Sequence, residues 1–477
     1  MPDEVAYSPQ LRTALVLSGT GTAGAYHAGV LRALHEAGVK IDVVAGRGIG
    51  VVSALFAAVD GAQRLWDEKG FWRSEPVASL YGWRIVPRIA VGALALSVAI
   101  VAVPIAIAGL GLVVFPIDFV LKMIGVGGAG GLVQWYLRAA DAAFAPAMLP
   151  TWLPRFVLLV LGAAGAAALL DGWSAGGRKA RTGFWWHAAR PVVSTSGAIA
   201  HVWRTMWDLV RGAANLTEPS HRELAGRYVE LLSENLDQPG FRELVVTAHD
   251  VDARRDLVFA LVRANRRRDL VRRPTTDAAD SRRAETFDLA GVARDYLPDA
   301  VAAALSVPPL TDWSTITFTA DAYWRGETHR LCDRPAALIR LTDELIDLGV
   351  GQIVLVSASP VVEGPHSLTP PRADWRGRTG EYLQSAEAAA VRDATTTTAG
   401  VKIFTIVPAH NPIGPFDFAG ARDERSDRRQ GLAELMARGY EDAYHQFIDP
   451  VVGASGDQIQ SPVASRPSSV SDPQSTV

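Results

Sequence analysis

The sequence predicts an α/β domain with a mostly parallel central sheet, interrupted by an inserted pair of apolar helices. Three observations carry that prediction. Two strand, glycine-turn, helix units follow one another near the N-terminus; 29 uncharged residues run from 89 to 117; and alternating strand and helix patterns resume near Phe241.

The first unit opens on the apolar run Thr13-Ala14-Leu15-Val16-Leu17. It passes through Ser18-Gly19-Thr20-Gly21-Thr22-Ala23-Gly24 into a helical pattern over residues 25–37. The second runs from Ile41 to Ala45, turns through Gly46-Arg47-Gly48-Ile49-Gly50 and enters an apolar helix over 51–59. That second turn has the glycine spacing of a G-x-S-x-G nucleophile elbow, in which a serine sits on a tight strand-to-helix corner with its hydroxyl exposed. Gly48 stands where the serine would be.

Over these forty or so positions, including Gly24-Ala25-Tyr26-His27-Ala28-Gly29-Val30-Leu31, the chain resembles the patatin-like phospholipases. The resemblance implies a patatin-like three-layer domain, and it implies that the first glycine turn would supply an oxyanion hole. Gly19, Gly21 and Gly24 keep that turn, whereas Thr20 replaces its second glycine and Ala23 its basic residue. Two other readings of the turn stand beside this one. Gly19-Thr20-Gly21-Thr22-Ala23-Gly24 also matches a dinucleotide fingerprint, with Asp42 as a candidate ribose ligand. Alternatively, the glycines only permit tight strand-to-helix packing.

The chain has 477 residues, enough for one large α/β domain with insertions or for two to three ordinary ones. Its 47 basic and 50 acidic side chains nearly balance, so nothing draws it globally to nucleic acid. With one cysteine, Cys332, no intramolecular disulfide can form, and a reducing compartment is the expectation. Residues 1–10 are acidic and lack the apolar core of a secretory signal.

Apolar residues concentrate between 89 and 170. The uncharged stretch exceeds the ~20 residues a helix needs to cross a bilayer, with Pro104 expected to kink it and Pro116 to end it. A second segment, 156–170, spans if the run from Ala147 is added and Arg155 snorkels. A buried core hairpin is the alternative. Two spans return the chain to the side it left. Arg84 and Arg88 before the first, and Arg178, Lys179 and Arg181 after the second, place the main domain in the cytoplasm by the positive-inside rule. Trp83, Trp173, Phe184, Trp185 and Trp186 fall where an aromatic belt would lie. Residues 196–214 read equally as an interfacial or a core amphipathic helix.

Beyond Phe241 the pattern gives strands at 242–248, 257–262, 315–319, 352–357 and 402–408, with helices at 336–348 and 431–448. The basic block Arg263, Arg266, Arg267, Arg268, Arg272 and Arg273 reads as a solvated loop or as a contact for anionic headgroups. The resemblance places a catalytic aspartate after the strand near 315, some residues before an Asn-x-Pro whose counterpart is Asp333-Arg334-Pro335. In that register Arg325 takes its place, with Asp321 as the nearest carboxylate. His410 and Asp417 suggest an acid-base or metal pair, but no motif spacing supports a metal, and a salt-bridged loop is the simpler account.

Acyl hydrolysis needs a hydroxyl and a base, and neither Gly48 nor Arg325 supplies one. Ser53 and Ser18 are the candidate substitutes. The expected organisation is therefore a first half-domain at 11–82, a membrane hairpin with interfacial helices at 83–220, a second half at 221–452, and a disordered Ser/Pro-rich tail at 453–477. The expected function is that of a membrane-associated, catalytically degenerate patatin-like protein that binds lipid or scaffolds a partner, without cofactor or metal. The alternatives are an acyl hydrolase with a non-standard nucleophile and, more remotely, a nucleotide-binding protein. An anionic headgroup or fatty acid is expected between Gly21, Gly48 and Arg325, with Gly46, Gly48 and Gly50 forming the elbow.

Overall fold

The computed structural model describes residues 7–125, 130–175, 191–212, 214, 217–271, 284–308, 310–360, 374–397 and 400–453. It divides into two compact units, one formed by Met1–Gly82 with Thr195–Val477, the other by Trp83–Ser194. The tail beyond Gly453, Arg178, Lys179, Arg181, Phe184, Trp185, Trp186, Arg272 and Arg273 lie outside the described residues, as does the side chain of Trp173.

The first unit is built on nine strands: β1 (Thr13–Gly19), β2 (Val43–Gly48), β3 (Glu243–Asp250), β4 (Arg255–Leu261), β5 (Thr286–Asp288), β6 (Ser314–Thr317), β7 (Thr328–Cys332), β8 (Gln352–Ser357) and β9 (Lys402–Ile406). The order across the sheet is β9-β8-β1-β2-β3-β4-β5, with β7 joined to the end of β3 and β6 to β7. From β9 to β3 all neighbours are parallel; Leu15 lies opposite Val44 on one side and Val354 on the other. β4 returns antiparallel, as do β7 and β6, so the sheet is mixed but mostly parallel.

Among the described residues the α-helices of nine residues or more are α1 (Ala23–Glu36), α2 (Gly50–Ala58), α3 (Ile85–Met123), α4 (Gly131–Phe144), α5 (Leu149–Ala175), α6 (Ser196–Val210), α7 (His221–Asn235), α8 (Leu297–Leu305), α9 (Ala337–Asp347), α10 (Trp375–Thr397) and α11 (Leu432–Ala443). Helices cover both faces of the sheet, which is why its central strands are apolar on both sides rather than alternating. Ala14, Val16, Val43, Ala45 and Val245 face Leu338, Leu341 and Leu345 of α9 and Ala390, Val391 and Ala394 of α10. Leu15, Leu17 and Val44 point the other way and are equally buried; each such side chain contributes about 1.5–3 kcal/mol. On that second face α1 crosses α11 at two glycines. A Cβ at Gly29 would meet the Met436 carbonyl oxygen at 1.9 Å, and one at Gly439 the Tyr26 carbonyl oxygen at 2.3 Å.

α6 belongs to this first unit, not to the insertion. Val202, Trp203 and Met206 are buried there, which makes α6 the core helix of the two readings its sequence allowed. Trp313 and Arg330 meet on the exposed side of the β6–β7 hairpin.

The second unit is a helical hairpin with a connecting helix. Its ends lie side by side, the Arg84 N–H donating to Val192 O at 2.9 Å. α3 runs unbroken through Pro104 and Pro116 to Met123, so Pro116 does not end it as its sequence suggests. Each proline removes one i to i−4 bond, and in an apolar medium the remaining bonds keep the helix intact because breaking them exposes more polar backbone. α3 and α5 have the length and composition of membrane spans, with 11% and 0% of their most apolar windows buried. Inside the unit, the Tyr136 hydroxyl of α4 donates to Ile107 O at 3.0 Å and its ring meets Phe115 edge-on. Asp118 pairs with Lys122 at 2.6 Å.

Candidate functional site

β1 and β2 end in register at Gly19 and Gly48, where the glycine-turn motifs meet. Gly48 adopts φ +57°, the left-handed region that an elbow requires and that glycine enters without strain. The Ile49 N–H closes the corner by donating to Gly19 O at 2.9 Å. A Cβ at position 48 would lie 2.2 Å from that carbonyl oxygen and 3.0 Å from Asp333 Oδ2. The corner is thus drawn in more tightly than any side-chain-bearing residue permits. Gly46 and Gly50 flank it, and Gly50 lets α2 approach the Leu17 carbonyl, which a Cβ would meet at 1.9 Å.

The carboxylate facing Gly48 is Asp333. Arg325, expected there, is exposed on the turn between β6 and β7, its N–H bonded to Ala322 O. The register fails because β7 lies between that turn and the elbow, and β7 delivers the residue after Cys332 to the C-terminal edge of the parallel strands.

Arg47, the residue before Gly48, is fully buried and organises the floor of the site. Its Nη2 donates to Asp333 Oδ2 at 3.0 Å and its Nη1 lies 2.7 Å from Glu387 Oε2 on α10. The Ser18 hydroxyl donates to Glu387 Oε1, and the Thr20 hydroxyl to Asp333 Oδ2 at 3.4 Å. Two carboxylates share one guanidinium. Burial pushes Asp333 up to about 6; Arg47 opposes that rise and the neighbouring Glu387 charge adds to it. His27, whose Nε2 lies 3.1 Å from Ser18 O, is held down at about 4, chiefly by burial, against the pull of its Ser18 hydrogen bond. It is therefore neutral at pH 7 and donates from Nε2.

Of the glycine amides expected to receive an anion, that of Gly24 is engaged, as are those of its neighbours Thr22 and Ala23. Thr22 N–H donates to Pro415 O at 2.9 Å and its hydroxyl to Gly414 O at 2.9 Å; Ala23 and Gly24 N–H turn back to Thr20 O and Gly21 O. Gly21, at φ +58°, lies so close under the 409–418 segment that a Cβ would meet Pro415 O at 1.8 Å. What remains open is a cavity of about 20 Å³ lined by Thr20, Thr22, Ser359, Gln384, Glu387 and Asn411. Among the described residues that volume is about one water, and Arg325 does not border it.

Of the substitute hydroxyls, Ser53 is fully buried on α2 with no hydrogen-bond partner among the described residues, and Ser18 is the one beside a carboxylate. The basic block is largely occupied: Arg263 reaches Leu236 O and Arg267 binds Asp288 at 3.0 Å. His410 pairs with Asp423 at 2.9 Å, while Asp417 accepts from the Gly414 N–H, a loop closed by its own bonds. Sequence reasoning missed Arg47, Asp333 and Glu387. A charged residue set between two apolar runs was the one available signal for Arg47.

Residues 15–101 match the family model for patatin-like phospholipase, a span that covers β1, α1, β2, α2 and the start of α3. Over 74 residues the chain is 43% identical to patatin-like phospholipase domain-containing protein 6 of Mus musculus, which is 14% of this chain and 6% of that protein. The Homo sapiens protein of the same name matches at 43% over 74 residues, or 5% of its length. The chain therefore matches only a small fraction of these curated relatives. Among solved structures, VipD from Legionella pneumophila aligns over 94% of this chain and 67% of its own at 12% identity and a TM-score of 0.30, a likeness that carries no weight for fold or function.

Proposed function

Because the chain belongs to the patatin-like phospholipase family, we propose that it is a membrane-anchored, lipid-associated protein that keeps the phospholipase fold without serine acyl hydrolysis. The observation that carries this reading is Gly48: the nucleophile position has no side chain, no space for one, and a buried Arg47–Asp333–Glu387 cluster beneath it. A nucleophile at that corner would need both a hydroxyl and an approach for the ester carbonyl. The water-sized cavity beside it, among the described residues, supports the absence of such an approach.

The anchoring half of the proposal is supported by α3 and α5, whose apolar side chains are exposed along their length. A soluble protein rarely presents so much contiguous apolar surface. Arg84 and Arg88 at the start of α3 favour the first unit on the cytoplasmic side. The role that follows is to hold lipid through the spans, or a partner at the membrane surface through the first unit.

A second reading has one observation in its favour. The Ser18 hydroxyl donates to Glu387, a serine–carboxylate pair of the kind an acyl hydrolase uses, although Ser18 is fully buried and Glu387 is also paired to Arg47. A fluorophosphonate probe separates the two readings. No labelling of the full-length protein in membranes is expected; labelling abolished by Ser18→Ala would replace the degenerate-site reading with the hydrolase.

A further inference from the structure

The last strand of the sheet, β5, borders a cavity of about 380 Å³. It lies three strands out from β2, roughly 14 Å at the usual strand spacing, so it is separate from the sealed elbow. Its walls are aromatic. Phe287 stacks on Phe318 at 5.4 Å and meets Tyr296 edge-on at 5.8 Å, and this ring cluster fixes both side chains in place. Tyr323 stands at the rim, 46% exposed.

Among the described residues the charged groups in the lining are two carboxylates, Asp288 and Asp321. Thr286 Oγ1 is buried there with no hydrogen-bond partner among the described residues. Asp288 is satisfied, one oxygen by Arg267 Nε at 3.0 Å and the other by the Ala290 N–H at 3.0 Å. Asp321 is exposed at the rim and makes no ion pair with a described residue. No basic side chain appears in the described lining.

We propose that this cavity binds a small amphiphilic cation: an aromatic or alkyl body against Phe287, Tyr296 and Tyr323, with an amine held at Asp321. The volume is in the range of small-molecule sites, which are mostly apolar with a few convergent polar groups. Electron-rich ring faces and a carboxylate that no described residue pairs both favour a cation and disfavour an anion of the same shape. The orphaned Thr286 hydroxyl gives the ligand one further polar contact.

The test uses three photoreactive probes with one body, a trifluoromethyl-diazirinyl phenyl ring carrying a methylamine, a hydroxymethyl or a carboxylate. The full-length protein in lipid nanodiscs is irradiated with each, and adducts are mapped by peptide mass spectrometry. Amine labelling should concentrate on residues 284–325 and exceed that of the alcohol and the benzoate in that order. Asp321→Asn, a conservative change at an exposed position, should reduce amine labelling there about fivefold and leave the alcohol unchanged. Ala322→Trp, which fills the cavity, should reduce both. Equal labelling by all three probes, labelling without enrichment at 284–325, or amine labelling indifferent to Asp321→Asn would each overturn the proposal.

Discussion

The same residue types meet opposite surroundings in the two units. In the first, Leu15 and Leu17 are 0% exposed between two layers of helix; in the second, Ile105 is 71% and Leu112 80% exposed on α3. Polar groups differ in the same way. The first unit tolerates a buried arginine and two carboxylates because the guanidinium pairs with both, whereas α3 carries no charge at all over residues 89–117. The contrast teaches that each unit is matched to a different medium. One makes its own apolar interior, and the other leaves its apolar side chains exposed, as the proposed membrane anchor would.

The largest effect should come from giving α3 the chemistry of the first unit. Arginine at both Ile105 and Leu112 is expected to cost about 5–7 kcal/mol of membrane insertion, taking 2.5–3.5 per charge near a span's centre. Carbonate extraction should then release a protein that otherwise stays with the membrane. Release of the unaltered protein by carbonate would break the comparison itself.

Next in size is Arg47→Ala, which strands two buried carboxylates in the first unit. A loss of about 3–5 kcal/mol is expected, read as a drop in the midpoint of urea unfolding. A loss below about 1 kcal/mol would mean that water reaches the cluster.

Asp333 sharpens the point through pH. Its folded pKa, about 6, lies above the ordinary carboxylate value near 3.8, so the folded state holds the proton more tightly. The stability linked to that proton is fully present below about pH 4 and is lost as pH rises through 6. Between pH 5 and 7 the unaltered protein should lose on the order of 1 kcal/mol more than Asp333→Asn. Parallel pH profiles would show that Asp333 is not buried with its charge in competition.

Gly29→Ala should have an effect of comparable size, about 1–3 kcal/mol, because its methyl group would press on the Met436 carbonyl. The change should appear in the thermal midpoint without altering how the chain partitions with membrane.

The central strands were legible in the sequence because they are buried on both faces and read as mostly apolar runs, as at 13–17, 43–45 and 353–356. β5 and β7 were not. Thr286-Phe287-Asp288 and Thr328-His329-Arg330-Leu331-Cys332 are short and polar, and they are held as strands by their neighbours, not by their own pattern. His329 shows why: burial works against its charged form, yet hydrogen bonds to Asp250 and Glu327 raise its pKa, and neither acid is signalled by local periodicity. At the candidate site Gly48 could be read from spacing alone. The Ser18–Glu387 contact bridges 369 positions, and no spacing rule reaches that far.

The pairing of β1 with β8 sets an order of events during synthesis. Leu15 lies opposite Val354, and α1 is clasped by α11 still later in the chain. At about 5–20 residues per second, β1 waits roughly 20–70 s for its neighbour to leave the ribosome. The hairpin of α3 and α5 emerges inside that interval, before the sheet around β1 can close. The first unit therefore passes through a period in which β1 lacks its β8 neighbour, and an unpaired strand edge is most prone to aggregate in that state.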